Sequence, residues 1–127
     1  MTAKVLPKRG AVYWITLNYI DRPAETNEKH MVVVVQSNEM LRQAREVNVL
    51  EITSNLGNVN ARYNVFLPAN TLTSKHQTVD SKIKCHVLYG VKVDDLLNGE
   101  YCGQIPDDIM KEVDDAIIFS LGLLEDL

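Results

Sequence analysis

The chain has 127 residues, 46% of them hydrophobic, which suffices for one compact domain but not for two ordinary ones. Thirteen lysines and arginines against seventeen aspartates and glutamates give a formal net charge of −4. A protein that holds nucleic acid by its overall charge usually carries the opposite sign. The composition therefore predicts one domain over residues 1–127 and excludes nucleic-acid binding by the charge of the whole molecule, so that any such contact must be local.

Neither cysteine, Cys85 or Cys102, lies in a CxxC or Cys/His spacing suited to zinc, and we expect both to be reduced thiols. The first residues include no apolar stretch of signal-peptide length. No run approaches the roughly twenty apolar residues that span a bilayer. These observations predict a cytoplasmic protein without membrane contact.

The first half of the chain is rich in strand signals. Residues 11–17 carry aromatic and β-branched side chains and predict a strand, and residues 18–29 then predict a long exposed loop of the kind that is usually functional. Residues 31–36 are a continuous β-branched run, which indicates a strand buried on both faces. Residues 37–39 supply capping side chains for a short helix or helical loop over residues 40–45.

The next segments alternate between apolar and polar side chains. Residues 47–52 read as a half-buried strand, with residues 53–55 at its end and a turn over residues 56–60. Residues 63–67 predict a further strand that Pro68 ends, and residues 82–93 predict one more, with a bulge or bend at Gly90.

The last element is an amphipathic helix that caps the sheet. Pro106 suits a first helical position, and Asp107 and Asp108 suit the positive end of the helix dipole. The apolar residues recur at intervals of three and four and form one face of this helix: Ile109, Val113, Ala116, Ile117 and Leu121. The chain is therefore predicted to be mainly β (α+β), as a small, strongly bent antiparallel sheet with a C-terminal helix.

The order and spacing of five segments resemble the MazF/PemK toxin family. The segments are KRGAVYWITL at 8–17, VVVVQ at 32–36, ITSN at 52–55, MKEVDDA at 110–116 and SLGL at 120–123. The resemblance covers residues 8–123, nearly the whole chain. It narrows the predicted fold to the SH3-like antiparallel β-barrel of these toxins, and it implies a small ribonuclease.

The resemblance also implies the catalytic residues. The family's catalytic arginine, in an Arg-Pro pair at the start of the second core strand, corresponds here to His30, with Met31 at the proline. A histidine can exchange a proton near neutral pH, which arginine cannot readily do. Thr53 matches the family's catalytic threonine, and Glu25 falls in the loop where the family often has a glutamate, as a candidate base. Taken alone, each residue has an ordinary structural reading as a surface histidine, a strand end and a solvated carboxylate.

RNA contacts are assigned to Arg9, Lys29, Ser54, Tyr89 and Lys92. Lys29 supplies a cation beside His30, and Ser54 is a second hydroxyl beside Thr53. Arg9 belongs to the family's Arg-Gly opening and has either a structural role or an RNA contact, while Gly10 permits close backbone approach. Tyr89 could stack on a base and Lys92 could meet a phosphate, although the family's Gln-Ile-Arg stretch is absent there. Trp14 and Tyr13 are expected in the core and at the barrel rim.

The leading hypothesis is a toxin-like, metal-independent endoribonuclease without a cofactor that cleaves single-stranded RNA to a 2′,3′-cyclic phosphate and a 5′-hydroxyl. The resemblance further implies a homodimer and neutralisation by a small antitoxin protein. No carboxylate cluster suited to magnesium is evident in the sequence. Two alternatives remain open: a catalytically inactive barrel that binds protein or nucleic acid as a regulator, and a gyrase-inhibiting toxin.

Overall fold

The computed structural model describes residues 6–17 and 28–124. The elements in these ranges are β1 Ala11–Thr16, β2 Lys29–Val34, α1 Asn38–Leu41, β3 Glu46–Thr53, β4 Asn64–Leu67, β5 Ser81–Lys84, β6 Tyr89–Lys92, α2 Val93–Leu97, β7 Glu100–Gln104 and α3 Asp107–Leu121. Within the described ranges, no helix is long and apolar enough to cross a membrane.

All the strand pairs are antiparallel, in the order β4-β5-β3-β2-β1-β7. The remaining strand, β6, shares one edge of β3 with β5: residues 89–92 pair with residues 46–49, whereas β5 pairs with Ile52 and Thr53. The sheet curls into a half-barrel with the C-terminal helix packed on it, which confirms the predicted mainly β fold.

Each face of the sheet carries a hydrophobic core. On one face Met31 and Val33 of β2 pack in a cluster that includes Val113 of α3. On the other face Val32 and Val34 pack with residues of α1 and α2. The central strand β2 is therefore buried on both sides, as its β-branched run predicted.

The strand predicted over residues 82–93 is wrong as one element. It is two strands, β5 and β6, and the break falls at residues 85–88 rather than at Gly90. The backbone N–H of Cys85 donates to the carbonyl of Tyr63 (2.9 Å), and the chain turns there so that β6 joins β3 nearer the start of that strand. Two elements were not predicted at all, α2 and β7, because neither is long enough to show a clear period.

The C-terminal helix is present, with two differences from its prediction. Pro106 has extended backbone (ψ 150) and stands just before the first helical residue instead of within the helix. Met110, Val113 and Ala116 are buried, and Ile109 and Ile117 are half-buried against the core, but Leu121 is 47% exposed. The side chain of Leu121 therefore lies outside the core, although Ser120 in the same turn donates a hydrogen bond to the carbonyl of Cys85 (2.9 Å).

Candidate active site

The sheet brings the two principal candidates together. The β2–β3 register pairs Met31 with Ile52. His30 precedes Met31 on β2 and Thr53 follows Ile52 as the last residue of β3, so the two residues lie at the same end of this strand pair. Thr53 thus ends its strand as predicted, and an imidazole and a hydroxyl from neighbouring strands lie at one end of the sheet.

Three further polar residues complete what we call the three-strand cluster, defined as His30, Glu51, Thr53, Lys82 and Lys84. Glu51 Oε2 lies 3.2 Å from His30 Nδ1, and Glu51 Oε1 lies 3.2 Å from Lys84 Nζ. Thr53 pairs with Lys82 across β3 and β5. Because alternate residues of a strand share a face, Glu51 and Thr53 face the same side as Lys82 and Lys84.

Positive charge exceeds negative charge in this cluster, although the whole chain is acidic. Lys82 is only 9% exposed, and its ammonium donates to the carbonyl of Gly57. Partial burial lowers the pKa of the nearby His86 imidazole, and the Lys84 and Lys82 ammonium groups lower it further. This is the local positive field that a bound phosphate requires and that the net charge of the molecule does not provide.

The hydroxyl of Thr53 is oriented by its own backbone. Its Oγ1 accepts a hydrogen bond from the backbone N–H of Asn55 (3.2 Å). A hydroxyl that accepts in this way keeps its own O–H to donate. Thr53 can therefore donate a hydrogen bond to a phosphate oxygen placed at the end of β3.

The His30 ring is partly accessible. Its side chain is 25% exposed, its Nδ1 faces Glu51, and its Nε2 is buried. A phosphodiester that contacts Nε2 must therefore displace the atoms that cover this nitrogen. The cluster combines groups that can exchange protons and bind phosphate, but the imidazole nitrogen that faces away from Glu51 is buried.

Arg9 lies apart from the cluster and contacts other parts of the protein. Its Nε donates to the carbonyl of Val35 (3.1 Å), and its Nη2 lies 2.5 Å from Asp114 Oδ1 of α3. The guanidinium thus ties the start of β1 to the C-terminal helix, and RNA contact by Arg9 stays a prediction.

The other predicted RNA-binding residues are dispersed. Lys29 is exposed at the start of β2 and Ser54 is exposed just after β3, so both flank the cluster. Lys92 pairs with Glu46 at the far end of β3, roughly 20 Å along the strand from Thr53. Tyr89 pairs with Val49 and is half-buried against the core, so the structure does not bring these two residues to His30. Glu25 lies outside the described residues.

Sequence reasoning missed Glu51, Lys82 and Lys84 as site residues. The sequence did contain one signal for Glu51, because its carboxylate lies in a predicted strand whose other residues between 49 and 52 are apolar. A buried carboxylate requires charged or hydrogen-bonding partners, which in turn indicates a cationic neighbour. Which cation it meets depends on the β3–β5 register, and no pattern in the sequence specifies that.

Other features lie outside the cluster. Trp14 stacks on His76 (ring centroids 4.0 Å apart, planes at 7°), and His76 Nε2 lies 3.3 Å from Glu100, so Trp14 is a packed rim residue as expected. A surface cavity of about 630 Å³ between β1, β7 and α2 is lined by Tyr13, Leu97 and Tyr101 and contains none of the cluster residues. Among residues 6–17 and 28–124, no three His, Cys, Asp or Glu side chains converge as a metal site.

Comparison with known proteins agrees with this arrangement of sheet and helix. Residues 8–121 match the family described as PemK-like, MazF-like toxin of type II toxin-antitoxin system. The chain is therefore a small toxin-type protein with a curled antiparallel sheet. It belongs to the PemK/MazF toxin family.

Solved structures support the fold. A mycobacterial endoribonuclease in complex with its cognate antitoxin is 19% identical (TM-score 0.71), with 92% of this chain and 96% of that one covered. MazF of the MazE–MazF complex from Deinococcus radiodurans is 16% identical (TM-score 0.71; 93% and 98% covered). Toxin MazF-mt6 of Mycobacterium tuberculosis is 16% identical (TM-score 0.65; 87% and 95% covered). No curated protein matches the chain in sequence.

Proposed function

We propose that this chain is a toxin endoribonuclease that cleaves single-stranded RNA without a metal ion. Its membership of the PemK/MazF family supports the class, and several of its structural neighbours are endoribonucleases by name. The observation that carries the proposal is that His30 and Thr53 lie at the same end of neighbouring strands, in a cluster that also holds Lys82 and Lys84. A proton-exchanging ring, a hydroxyl donor and local positive charge are what metal-free cleavage of a phosphodiester needs.

The reaction is an intramolecular transfer at phosphorus. The ribose 2′-oxygen forms a bond to phosphorus while the bond to the 5′-oxygen breaks. The 2′-hydroxyl gives its proton to an acceptor and the departing 5′-oxygen receives one, so the products are a 2′,3′-cyclic phosphate and a 5′-hydroxyl. Protein groups that exchange these protons speed such reactions by about 100-fold to 10,000-fold.

We assign the proton exchange to His30 and a hydrogen bond to a phosphate oxygen to Thr53. Lys82 and Lys84 supply positive charge for the phosphorane, and Lys29 and Ser54 flank the bound strand. Glu25 remains our candidate for a second proton-transfer group. Arg9, Tyr89 and Lys92 remain candidates for contacts to more distant nucleotides.

The test is cleavage of a long single-stranded RNA by the purified protein, with and without EDTA, followed by mapping of the ends. We expect discrete cuts that survive EDTA and carry cyclic-phosphate ends. His30→Ala should lower the rate by about 100-fold or more, and Thr53→Ala by roughly 100-fold. Thr78→Ala, at an exposed position outside the cluster, is the control and should cleave as the wild type does.

Intact RNA at a stoichiometric excess of folded protein would contradict the enzyme and favour the catalytically inactive binding module. The histidine at the arginine position and the buried Nε2 are the observations that favour this second candidate. A protein that leaves RNA intact but inhibits DNA supercoiling would instead be a gyrase-inhibiting toxin.

The partners follow from the same proposal. The solved toxin–antitoxin complexes support our proposal that a small antitoxin protein neutralises this chain. We further propose a cytoplasmic setting. We also propose a homodimer, because the exposed apolar residues Leu121, Leu123 and Leu124 (47%, 62% and 54%) leave one end of the protein open to association. Sedimentation of the purified protein as a monomer at micromolar concentration would refute the dimer.

A further inference from the structure

Glu51 is a buried acid at the centre of the candidate site. Its side chain is 6% exposed, and the other β3 residues from 49 to 52 belong to the hydrophobic core. Removing a carboxylate from water costs several kcal/mol unless charged partners surround it. Such a residue persists in a sheet only where its partners compensate for this cost.

The two carboxylate oxygens of Glu51 contact different partners. Oε2 lies 3.2 Å from Nδ1 of His30, and Oε1 lies 3.2 Å from Nζ of Lys84. A carboxylate accepts hydrogen bonds and does not donate them, so the His30 nitrogen that faces it must carry the proton. In neutral imidazole, this leaves Nε2 as the nitrogen without a proton.

We propose that Glu51 is a positioning residue for His30, which holds Nδ1–H in place and leaves Nε2 for proton exchange with RNA. The inference rests on the proposed endoribonuclease activity and extends it to a residue outside the predicted site. It also gives a physical reason why a histidine works at the arginine position. A guanidinium is charged without help, whereas an imidazole depends on the group at its other nitrogen for its tautomer and orientation.

Few other charges face the ring from the described elements. The residue across from His30 on β1 is Ile15, which is uncharged. On β3 the facing residues are Glu51 and Thr53, and on β5 they are Lys84, paired with Glu51, and Lys82, whose ammonium is held by Gly57. Within the described elements, the charged groups that face the ring are therefore the Glu51 carboxylate and the two lysines of β5.

The test is the pH dependence of RNA cleavage by the full-length protein. Glu51→Gln removes the negative charge that faces Nδ1, so the limb of the pH–rate profile that His30 controls should move to lower pH. Lys84→Met leaves the carboxylate uncompensated and should move the same limb to higher pH. The expected directions of both shifts are the same whether His30 acts as base or as acid, because in either role the limb reports the protonation of the same ring.

Glu46→Gln is the matched control. It makes the same charge change on the same strand, at an exposed position opposite Lys92, and should leave the profile unchanged. Circular dichroism and thermal melting should verify that each variant is folded. Profiles of Glu51→Gln and Lys84→Met that coincide with that of the wild type would overturn the proposal. A shift in the two opposite directions supports it, and Lys84→Met alone decides if Glu51→Gln does not fold.

A second measurement separates this proposal from the proposed function. Nitrogen-15 NMR of the histidine rings reports which nitrogen of His30 carries the proton, whether or not the protein cleaves RNA. We expect the Nδ1–H form in the wild type and loss of that preference in Glu51→Leu. An Nε2–H form in the wild type would overturn the positioning role, whereas an Nδ1–H ring in a protein that leaves RNA intact would refute only the enzyme.

Discussion

At the scale of single residues, Gly10 is a position where the backbone leaves little choice. Its φ of 89 lies in the left-handed region, and a Cβ there would meet Nε2 of Gln104. That side-chain nitrogen already donates to the carbonyl of Arg9 (2.8 Å). The close approach predicted for the Arg-Gly opening is thereby confirmed, since the glycine lets β1 begin against β7.

Gly10→Ala should therefore lower the free energy of unfolding by about 1–3 kcal/mol, because it adds backbone strain and displaces the Gln104 amide. Gly90→Ala is the control, since a Cβ there has nothing within 4 Å and its φ is ordinary. We expect the control to change stability by less than about 0.5 kcal/mol. Urea denaturation followed by circular dichroism measures both, and equal effects of the two substitutions would refute the argument.

At the scale of elements, α3 depends on one buried stripe more than on its intrinsic helix preference. Val113 is fully buried in the core beneath the helix, while its neighbour Glu112 is exposed. Gly122 (φ 68) caps the end, and the backbone N–H of Met110 donates to the carbonyl of Pro106 (2.9 Å) in the first turn. The helix is therefore held in place by packing, with its two ends defined locally.

The substitution Val113→Ala tests how much the packing of the buried stripe stabilises α3. Alanine favours the helix by up to about 0.7 kcal/mol, but removal of two buried carbons loses about 0.8 kcal/mol each and leaves a cavity. We expect a net loss of about 1–2 kcal/mol in the free energy of unfolding. In the same turn, Glu112→Ala gains the helix preference without the packing loss and should be neutral or slightly stabilising. A Val113→Ala protein as stable as the wild type in chemical denaturation would show that the stripe does not hold α3.

At the scale of the whole molecule, buried acidic protons make the fold sensitive to alkali. Burial raises the pKa of the Cys85 thiol from 9.0 to about 12, and burial also raises the pKa values of Cys102 and Tyr13. As the pH rises, the unfolded chain loses these protons before the folded protein does. Between the two pKa values the folded state therefore holds more protons than the unfolded state, and stability falls as the pH increases. The stabilisation is complete below pH 9.0 and is lost as the pH rises toward about 12.

We therefore expect the urea midpoint to fall progressively above pH 9.0, and Cys85→Ala should flatten this dependence. Val65→Ala, in the same core, is the control: it lowers stability at every pH but keeps the wild-type slope. The readout is thus the slope against pH and not the stability itself. A slope in Cys85→Ala equal to that of the wild type would exclude Cys85 as a source of the effect.

Much of the fold was readable from the sequence because its signals are local. The run at residues 32–35 identified a strand buried on both faces, and Thr53 ended β3 as its pattern indicated. The Arg-Gly opening placed Gly10, and the three-to-four spacing found α3. In each case a side chain's own preference and the period of its element agree with what the tertiary structure needs.

Local sequence signals did not predict which distant strands pair with each other. Two features depend on which residues stand opposite each other across the sheet. One is that β5 and β6 share an edge of β3, and the other is that Glu51 contacts both His30 and Lys84. A shift of one residue would send each of these side chains to the other face. The sequence by itself determined the class and the central strands, and it predicted His30 and Thr53 as site residues. Only the tertiary structure decided that a buried carboxylate joins His30 to Lys84, because register is a property of paired strands and is not written in any one of them.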